Sequence, residues 1–176
     1  ALDGYDRVAE ELPGAEIFVG WSLPPDKLAL ARSLKWMHSL MTGVAQLCYP
    51  ELVAGPVVLT NAATVHALPV AEHAWALILA SSRRIPSSVS YQERREWGLS
   101  KVWNEKPAPF EVNGLTLGLV GLGAIGREVA RRARAFEMRV VAVKRRPGQG
   151  REYADEVYAA TELPRLLAQA DIVVLA

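Results

Sequence analysis

The chain has 176 residues, of which 51% are hydrophobic and 22% charged, a balance that fits a globular protein with one large domain or parts of two. Its 20 basic and 19 acidic side chains leave a formal charge of +1, so we predict no nucleic-acid partner. No apolar run approaches the roughly 20 residues that cross a bilayer. The best run, residues 70–80, is interrupted by Glu72 and His73. The single cysteine, Cys48, cannot form an internal disulfide, which predicts a reducing, cytoplasmic setting.

The first part of the chain alternates predicted strands and helices. Residues 1–14 are typical of the end of a helix and a loop. Strands are predicted at residues 15–20, 35–40 and 57–60, and a helix at residues 25–33. Because strands and helices alternate, we expect a parallel sheet and an α/β fold class.

The longest predicted helix covers residues 70–84. It is rich in Ala and Leu, and its apolar residues are so abundant that it should be buried on most sides. The dipeptide Ile85-Pro86 should end or bend this helix, because the residue before a proline is driven out of the helical conformation. Residues 92–97 have helical character, and residues 101–110 are typical of a loop.

A glycine motif follows. Residues 117–126 read Leu-Gly-Leu-Val-Gly-Leu-Gly-Ala-Ile-Gly, which joins a strand-like apolar run to a helix through the pattern GxGxxG. Gly121 permits a tight turn, Gly123 lets the backbone approach a pyrophosphate, and Gly126 lets the helix pack closely on the strand. The motif therefore predicts a dinucleotide-binding turn.

The residues around the motif strengthen this prediction. The helix begins at Ala124 and Ile125, where free N–H groups and a partial positive charge would face the phosphates. One strand is predicted before the glycines, at residues 115–120, and another after the helix, at residues 139–143. Together they form a βαβ unit of the expected ~30 residues. The alternative is a glycine-rich loop that binds no ligand.

The residues after the second strand bear on the choice of dinucleotide. An NAD site of this type has Asp or Glu there, which binds the adenosine ribose. This sequence has Lys144, Arg145 and Arg146 instead. A carboxylate would repel a 2′-phosphate, whereas three cations attract it and an arginine fork binds it bidentately, so NADP(H) is favoured over NAD(H). The alternative is a solvated basic loop with no specific role.

Several segments carry a family resemblance, in the same order along the chain. They are residues 41–44 (Met-Thr-Gly-Val), residues 61–73 ending in Val-Ala-Glu-His, Arg83-Arg84, Gln92 with Trp97, residues 118–126, residues 129–136 and residues 163–175. In these segments the chain resembles the D-isomer-specific 2-hydroxyacid dehydrogenases, a family that includes glyoxylate/hydroxypyruvate reductases and phosphoglycerate dehydrogenase. The resemblance spans nearly the whole chain.

The resemblance implies two domains with an active site between them. One is a flavodoxin-like substrate domain, and the other is a Rossmann-type cofactor domain with a doubly wound parallel sheet. We place the boundary ahead of the long helix, with part of the substrate domain at residues 1–67 and part of the NAD(P)-binding domain at residues 68–176. The resemblance also implies that Thr42 and Gly43 bind the substrate carboxylate and that Thr42 contacts the cofactor. On its own, a Thr-Gly pair after a strand predicts only a turn.

The catalytic groups that the resemblance implies are an arginine that holds the substrate, a histidine that transfers the proton and a glutamate that tunes the histidine. In the family they follow the strand that matches residues 172–175. The chain stops at Ala176, so we expect these groups beyond its end and the chain to be partial. His38, His66 and His73 are expected to be structural, although His66, in a loop between domains, is the one that could line the active site.

The predicted function is hydride transfer between NADP(H) and a small D-2-hydroxy acid or 2-keto acid, with glyoxylate or hydroxypyruvate favoured. The alternative is a non-catalytic dinucleotide-sensing module like the transcriptional corepressors of this fold. A formate dehydrogenase is disfavoured by the basic segment, because such enzymes typically use NAD. We predict no membrane partner and no metal site. A homodimer is expected, with Trp75 and Trp97 at its interface, the alternative being packing within the chain.

Besides Lys144, two residues depart from the family pattern. Ala45 stands where many members have Asp, and Glu137 stands where a glycine usually follows Phe136. The second position often needs a left-handed backbone at a helix C-terminus, so Glu137 predicts either a different cap or local strain.

Overall fold

The computed structural model describes residues 5–146, 148 and 150–176. Contacts divide the chain into two compact units, Ala1–His66 and Ala67–Ala176. The elements of the first unit are α1 (Tyr5–Glu11), β1 (Ile17–Gly20), α2 (Pro25–Leu28), β2 (Trp36–Ser39), α3 (Pro50–Val53) and β3 (Val58–Asn61). Those of the second are α4 (Ala67–Ser82), α5 (Ile85–Glu93), α6 (Leu99–Trp103), β4 (Thr116–Val120), α7 (Ala124–Ala135), β5 (Arg139–Lys144), β6 (Glu156–Ala159), α8 (Leu163–Leu167) and β7 (Ile172–Leu175). Among the helices of the described residues, none has the length and apolar character needed to span a membrane.

The first unit is built on a three-stranded parallel sheet in the order β1-β2-β3. Side chains of β2 alternate between its two faces: Met37 and Ser39 are buried, whereas Trp36 is exposed. The buried face packs on side chains from the surrounding helices and turns, including Leu12, Leu23, Ala31, Leu34, Leu47 and Leu52. On the opposite face, Trp36 stands in register between Ile17 and Val58, and all three are exposed. The core of this unit therefore lies on one face of its sheet.

The helix predicted at residues 25–33 is wrong in its length, because α2 ends at Leu28. Beyond that point the N–H groups of Leu30, Ala31 and Leu34 each donate to the carbonyl three residues back. These are the bonds of 3₁₀-type turns. Leu28, Ala31 and Leu34 thereby keep a three-residue spacing that packs into the core, and in the sequence this spacing imitates a helical stripe.

The second unit is built on four parallel strands in the order β6-β5-β4-β7. Counted along the chain within the unit, this is the order 3-2-1-4 of a Rossmann-type sheet. The predicted α/β fold class with a parallel Rossmann-type sheet is confirmed. The strand β6 was not predicted. It has only four residues, with Val157 and Tyr158 buried at its centre, and this is too short for a periodic pattern to stand out.

Side chains of β5 alternate between two cores on opposite faces of this sheet. Val140 and Ala142 belong to the larger core, which α4 and α7 cover, and Val141 and Val143 belong to a smaller core with Leu166 of α8. Parallel strands are normally buried on both faces. This burial explains why the sequence of β5 is a continuous apolar run rather than an alternating one.

The helix α4 packs on α7 along a narrow stripe. Ala71 and Trp75 are buried, whereas Leu77 is exposed. The indole Nε1–H of Trp75 donates to the carbonyl of Val129 at 3.1 Å, and its ring stacks on Phe136 with the ring centroids 4.8 Å apart. The expectation that α4 is buried on most sides was wrong for this chain. Placing Trp75 at a dimer interface was also wrong, because the side chain is used for packing within the chain.

The segment between α4 and β4 contains two left-handed residues. The helix α4 ends before Pro86, as predicted, but the left-handed Arg84, with φ 55°, makes the break. Ile85 and Pro86 are the first residues of α5, where a proline is tolerated because its missing N–H would be unpaired anyway.

The helical character predicted for residues 92–97 is correct only for Gln92 and Glu93, the last two residues of α5. Arg95, with φ 56°, follows, and a left-handed residue cannot continue a right-handed helix. The loop predicted at residues 101–110 was wrong at its start, because residues 101–103 belong to α6. This helix has only five residues, which are too few to show a helical period.

The C-terminus of α7 forms a Schellman cap around Glu137, which has φ 54°. The N–H of Glu137 donates to the carbonyl of Arg134 at 3.0 Å, and the N–H of Met138 donates to the carbonyl of Ala133 at 3.2 Å. The Glu137 carboxylate accepts a hydrogen bond from Asn113 Nδ2 at 3.1 Å. The two alternatives for Glu137 were a different cap and local strain. The structure has the usual Schellman cap, with Glu137 strained in the left-handed conformation.

Candidate functional site

The turn between β4 and α7 contains three glycines whose surroundings differ. Gly121 has φ 108°, and a Cβ placed on it would lie 2.1 Å from the carbonyl oxygen of Ala176, just after β7. A Cβ on Gly126 would lie 2.3 Å from the carbonyl oxygen of Gly121. A Cβ on Gly123 would meet nothing within 4 Å. The fold therefore requires glycine at the first and third positions, whereas the second borders open space.

The start of α7 presents N–H groups at this turn. The first bond of the helix runs from the N–H of Arg127 to the carbonyl of Gly123, at 3.0 Å. The N–H groups of Ala124, Ile125 and Gly126 precede it and have no acceptor within the helix. Together with the helix dipole, they make this end of α7 a position that favours an anion.

A cavity of about 920 Å³ lies over the turn and is also lined by the basic segment Lys144–Arg146 at the end of β5. Lys144 is half-buried at the end of the strand, and Arg145 and Arg146 are exposed. The described residues that line the cavity include no Asp or Glu. The structure thus brings the predicted turn and the predicted basic segment to one cavity, at the carboxyl ends of β4 and β5, where open parallel sheets bind ligands.

A fourth cation, Arg127, lines the same cavity, although the sequence does not distinguish it from the other arginines of α7. Its Nε atom is buried and has no hydrogen-bond partner among the described residues. A buried donor without an acceptor is costly unless a ligand supplies one. Together with the open space at Gly123, this atom shows that the cavity fits an anionic group such as a dinucleotide phosphate.

Ala160 and Leu163 form part of the cavity wall between β6 and α8. Neither residue is predicted from the sequence, because no strand is predicted at β6 and the sequence gives no sign that the chain returns to the cavity there. Leu163 also packs against the smaller core, which makes this wall apolar. An apolar wall beside a cationic one suits a ligand with both a ring and a phosphate.

Thr42 and Gly43 lie in the first unit, in the loop after β2. The carbonyl of Thr42 accepts a hydrogen bond from Asn61 Nδ2 at 2.6 Å, and the carbonyl of Gly43 accepts one from Gln46 Nε2 at 3.2 Å. The Thr42 Oγ1 atom is buried and has no partner within the described part of the chain. A Cβ on Gly43 would meet nothing within 4 Å. Hydrogen bonds from two side-chain amides to its carbonyl oxygens thus hold the loop in place. The hydroxyl of Thr42 takes no part in them and is available to a ligand.

Among the described residues, the three histidines do not form a metal-ligating cluster with acidic or cysteine side chains. His38 Nδ1 lies 2.9 Å from Thr60 Oγ1 within the first sheet, and His66 and His73 are exposed. In the residues that the structure describes, no group of three or more His, Cys, Asp or Glu side chains could hold a metal ion.

The chain belongs to the D-isomer specific 2-hydroxyacid dehydrogenase family, whose NAD binding domain matches residues 75–176. It is similar to the D-3-phosphoglycerate dehydrogenase of Archaeoglobus fulgidus, with 29% identity over 172 residues that cover 96% of this chain and 31% of that protein. It is also similar to the glyoxylate reductase of Thermococcus gammatolerans, with 38% identity over 126 residues that cover 69% of this chain and 34% of that protein.

Among solved structures, the chain resembles a D-isomer specific 2-hydroxyacid dehydrogenase family protein from Aeromonas salmonicida. The TM-score is 0.84 at 26% sequence identity, and the match covers 99% of this chain and 54% of that chain. The chain therefore spans about a third of the length of these curated relatives and about half of the solved structure.

Proposed function

We propose that the chain is the cofactor-binding part, with a portion of the substrate-binding part, of an enzyme that transfers a hydride between NADP(H) and a small D-2-hydroxy acid or 2-keto acid. The observation that carries the proposal is the single cavity shared by the glycine turn, the N-terminus of α7 and the basic segment Lys144–Arg146. Glyoxylate and hydroxypyruvate are the favoured substrates, and the similarity to a glyoxylate reductase supports this choice.

In this proposal the chain positions the cofactor rather than reacting with the substrate. The diphosphate lies against the N–H groups of Ala124, Ile125 and Gly126, and the open space at Gly123 lets it approach the backbone. Lys144, Arg145 and the neighbouring Arg146 bind the 2′-phosphate, in a cavity whose described lining has no carboxylate to repel it. When bound, the nicotinamide supplies the hydride.

We assign residues 1–67 to the substrate domain and residues 68–176 to the NAD(P)-binding domain. Thr42 and Gly43 are proposed to bind the substrate carboxylate, with Thr42 also in contact with the cofactor. The unpartnered Oγ1 of Thr42 and the open space at Gly43 support these roles. The non-catalytic sensor is not favoured, because the similar curated proteins are a dehydrogenase and a reductase.

The protein is also proposed to be a cytoplasmic homodimer. Cys48 is a free, exposed thiol, which suits a reducing compartment. Trp97 is 89% exposed and shares a groove of about 720 Å³ with Leu99 and Trp103, which are also exposed. Exposed aromatic and aliphatic side chains grouped in this way favour protein contact. Trp97→Glu should dissociate the dimer in sedimentation experiments, whereas Trp21→Glu, at a tryptophan that is 62% exposed in the other unit, should not.

The proposal is tested by titrating the full-length protein with NADPH and NADH and then measuring initial rates on glyoxylate, hydroxypyruvate and pyruvate. We expect tighter binding of NADPH. The double substitution Lys144→Asp with Arg145→Ser should shift the preference toward NADH. Equal affinity for both dinucleotides before and after this change would mean that the basic segment is a solvated loop with no role in the choice of dinucleotide.

A further inference from the structure

The arginines of α7 fall into two groups by their contacts. Arg131 and Arg132 bind the carboxylate of Glu128 at 2.8 Å and 2.6 Å, and Arg134 donates to the carbonyl of Glu152 at 2.6 Å. Among the described residues, Arg127 makes no ion pair, although its side chain is partly buried. Among the described residues, Arg127 therefore has neither a carboxylate partner, as Arg131 and Arg132 have, nor a carbonyl acceptor, as Arg134 has.

The side chain of Arg127 is nevertheless held in place. Its guanidinium lies over the ring of Tyr153, 5.4 Å from the ring centroid. A Cβ built on Gly150 would be 3.4 Å from two of its nitrogens, so the backbone at Gly150 also lies close to it. This contact uses none of the N–H donors of the guanidinium, so they stay available for an anion.

The position of these contacts indicates which phosphate Arg127 meets. Gly150 and Tyr153 lie in the segment that follows the basic residues at the end of β5, so the side chain is held on that side of the cavity. In the proposed function, the diphosphate is bound by the N–H groups at the start of α7, one helical turn before Arg127. Arg127 is therefore expected to contact the adenosine end of the ligand.

We propose that Arg127 is a specificity-determining residue that binds the 2′-phosphate of NADP(H) together with Lys144–Arg146. The inference rests on the proposed function, because it concerns the same dinucleotide site. Tyr153 acts as a positioning residue, which holds the guanidinium toward the phosphate. The discrimination against NADH then comes from α7 as well as from the basic segment Lys144–Arg146.

The experiment compares Arg127→Met, which keeps most of the apolar stem of the side chain but removes the charge, with Arg127→Lys, which keeps a charge. Dissociation constants are measured on the full-length protein for NADPH, NADH, adenosine 2′,5′-bisphosphate and 5′-AMP. Arg127→Met should weaken NADPH and the bisphosphate by about tenfold or more, the usual effect of a lost charge-assisted bond. It should change NADH and 5′-AMP less than about twofold, and Arg127→Lys should recover part of the loss.

The matched control is Arg131→Gln, because this arginine lies on the same helix and pairs with Glu128. It should leave all four constants unchanged, and circular dichroism should show all variants folded. Equal weakening of NADPH and NADH in Arg127→Met, or no weakening of either, would overturn the role of Arg127 while leaving a wild-type preference for NADPH intact. A wild-type protein that binds neither dinucleotide, or prefers NADH, would overturn the proposed function and this inference with it.

Discussion

A Cβ placed on Gly126 would lie 2.3 Å from the carbonyl oxygen of Gly121. Real Cβ atoms do not approach a backbone oxygen so closely, so Gly126→Ala must move either α7 or the turn. We expect a loss of about 1–3 kcal/mol in the free energy of unfolding, the usual cost of overpacking. Chemical denaturation of the variant measures this loss, and a variant as stable as the wild type would contradict the close packing of α7 on β4.

Gly123→Ala, unlike Gly126→Ala, should change the affinity for the dinucleotide and leave the stability of the fold almost unchanged. Its φ of −83° suits alanine, and the added Cβ meets no atom within 4 Å. Stability should change by about 0.5 kcal/mol or less. Affinity for NADPH and NADH should fall together, at least tenfold, because the methyl group occupies the space that the diphosphate needs. Full affinity in this variant would mean that the diphosphate lies elsewhere.

The two tryptophans Trp75 and Trp97 should respond very differently to truncation. Trp75 is 4% exposed, stacks on Phe136 and donates to a backbone carbonyl of α7, so Trp75→Ala should cost about 3–5 kcal/mol of unfolding free energy. Trp97 is 89% exposed, and Trp97→Ala should stay within about 0.5 kcal/mol in dilute solution. Urea denaturation of both variants makes the comparison, and similar losses would contradict it.

Glu137→Gly should stabilise the protein, because glycine adopts the left-handed conformation of this residue without the Cβ clash. The hydrogen bond from Asn113 is lost in the same variant, so Glu137→Ala is the control that loses the bond but keeps the Cβ. The glycine variant should exceed the alanine variant by about 1 kcal/mol in unfolding free energy. Equal stability of the two would mean that the backbone at this cap is not strained.

Glu128 should make stability depend on pH in the acid range. Hydrogen bonds from Arg131, and then from Arg132, hold the pKa of its carboxyl below the ordinary value. A carboxyl whose pKa is lower in the folded chain than in the unfolded chain stabilises the fold above the unfolded pKa, and this stabilisation is lost as pH falls through the folded pKa.

Glu128→Gln should therefore be less stable than the wild type at neutral pH, and the gap should close as pH falls below the ordinary carboxyl range. Denaturation at a series of pH values checks this, with Glu93→Gln on the exposed face of α5 as the control for a lost surface charge. A gap that is constant with pH would show that the ion pairs do not contribute.

The unit from β4 through α7 to β5 could be predicted because its signals are local. The three glycines, the apolar run before them and the stripe along α7 each report a backbone requirement within a few residues. The family resemblance extends this assignment over nearly the whole chain. Glu137 was flagged for the same reason, since the need for a left-handed residue at a helix end is visible in the sequence.

The errors came from elements whose signals depend on the rest of the fold. β6 is four residues long, and α2 is followed by turns that share the spacing of a helix. Trp75 was indistinguishable from a surface aromatic until α7 was seen to pack on it. In the sequence, Arg127 could not be distinguished from the other charged residues on the polar face of α7. Neither its unpartnered Nε nor its contact with Tyr153 can be predicted from the spacing of residues along the sequence.

The contact between Gly121 and the residue after β7 links the glycine turn to a strand made much later in the chain. The N–H of Ala176 donates to the carbonyl of Val120 at 3.0 Å, and the Ala176 carbonyl oxygen occupies the space beside Gly121. Long-range pairings of parallel strands form slowly, because the loop between them must be closed first. During refolding, affinity for the dinucleotide should accordingly appear only when β7 joins the sheet, after the local helix α7 has formed.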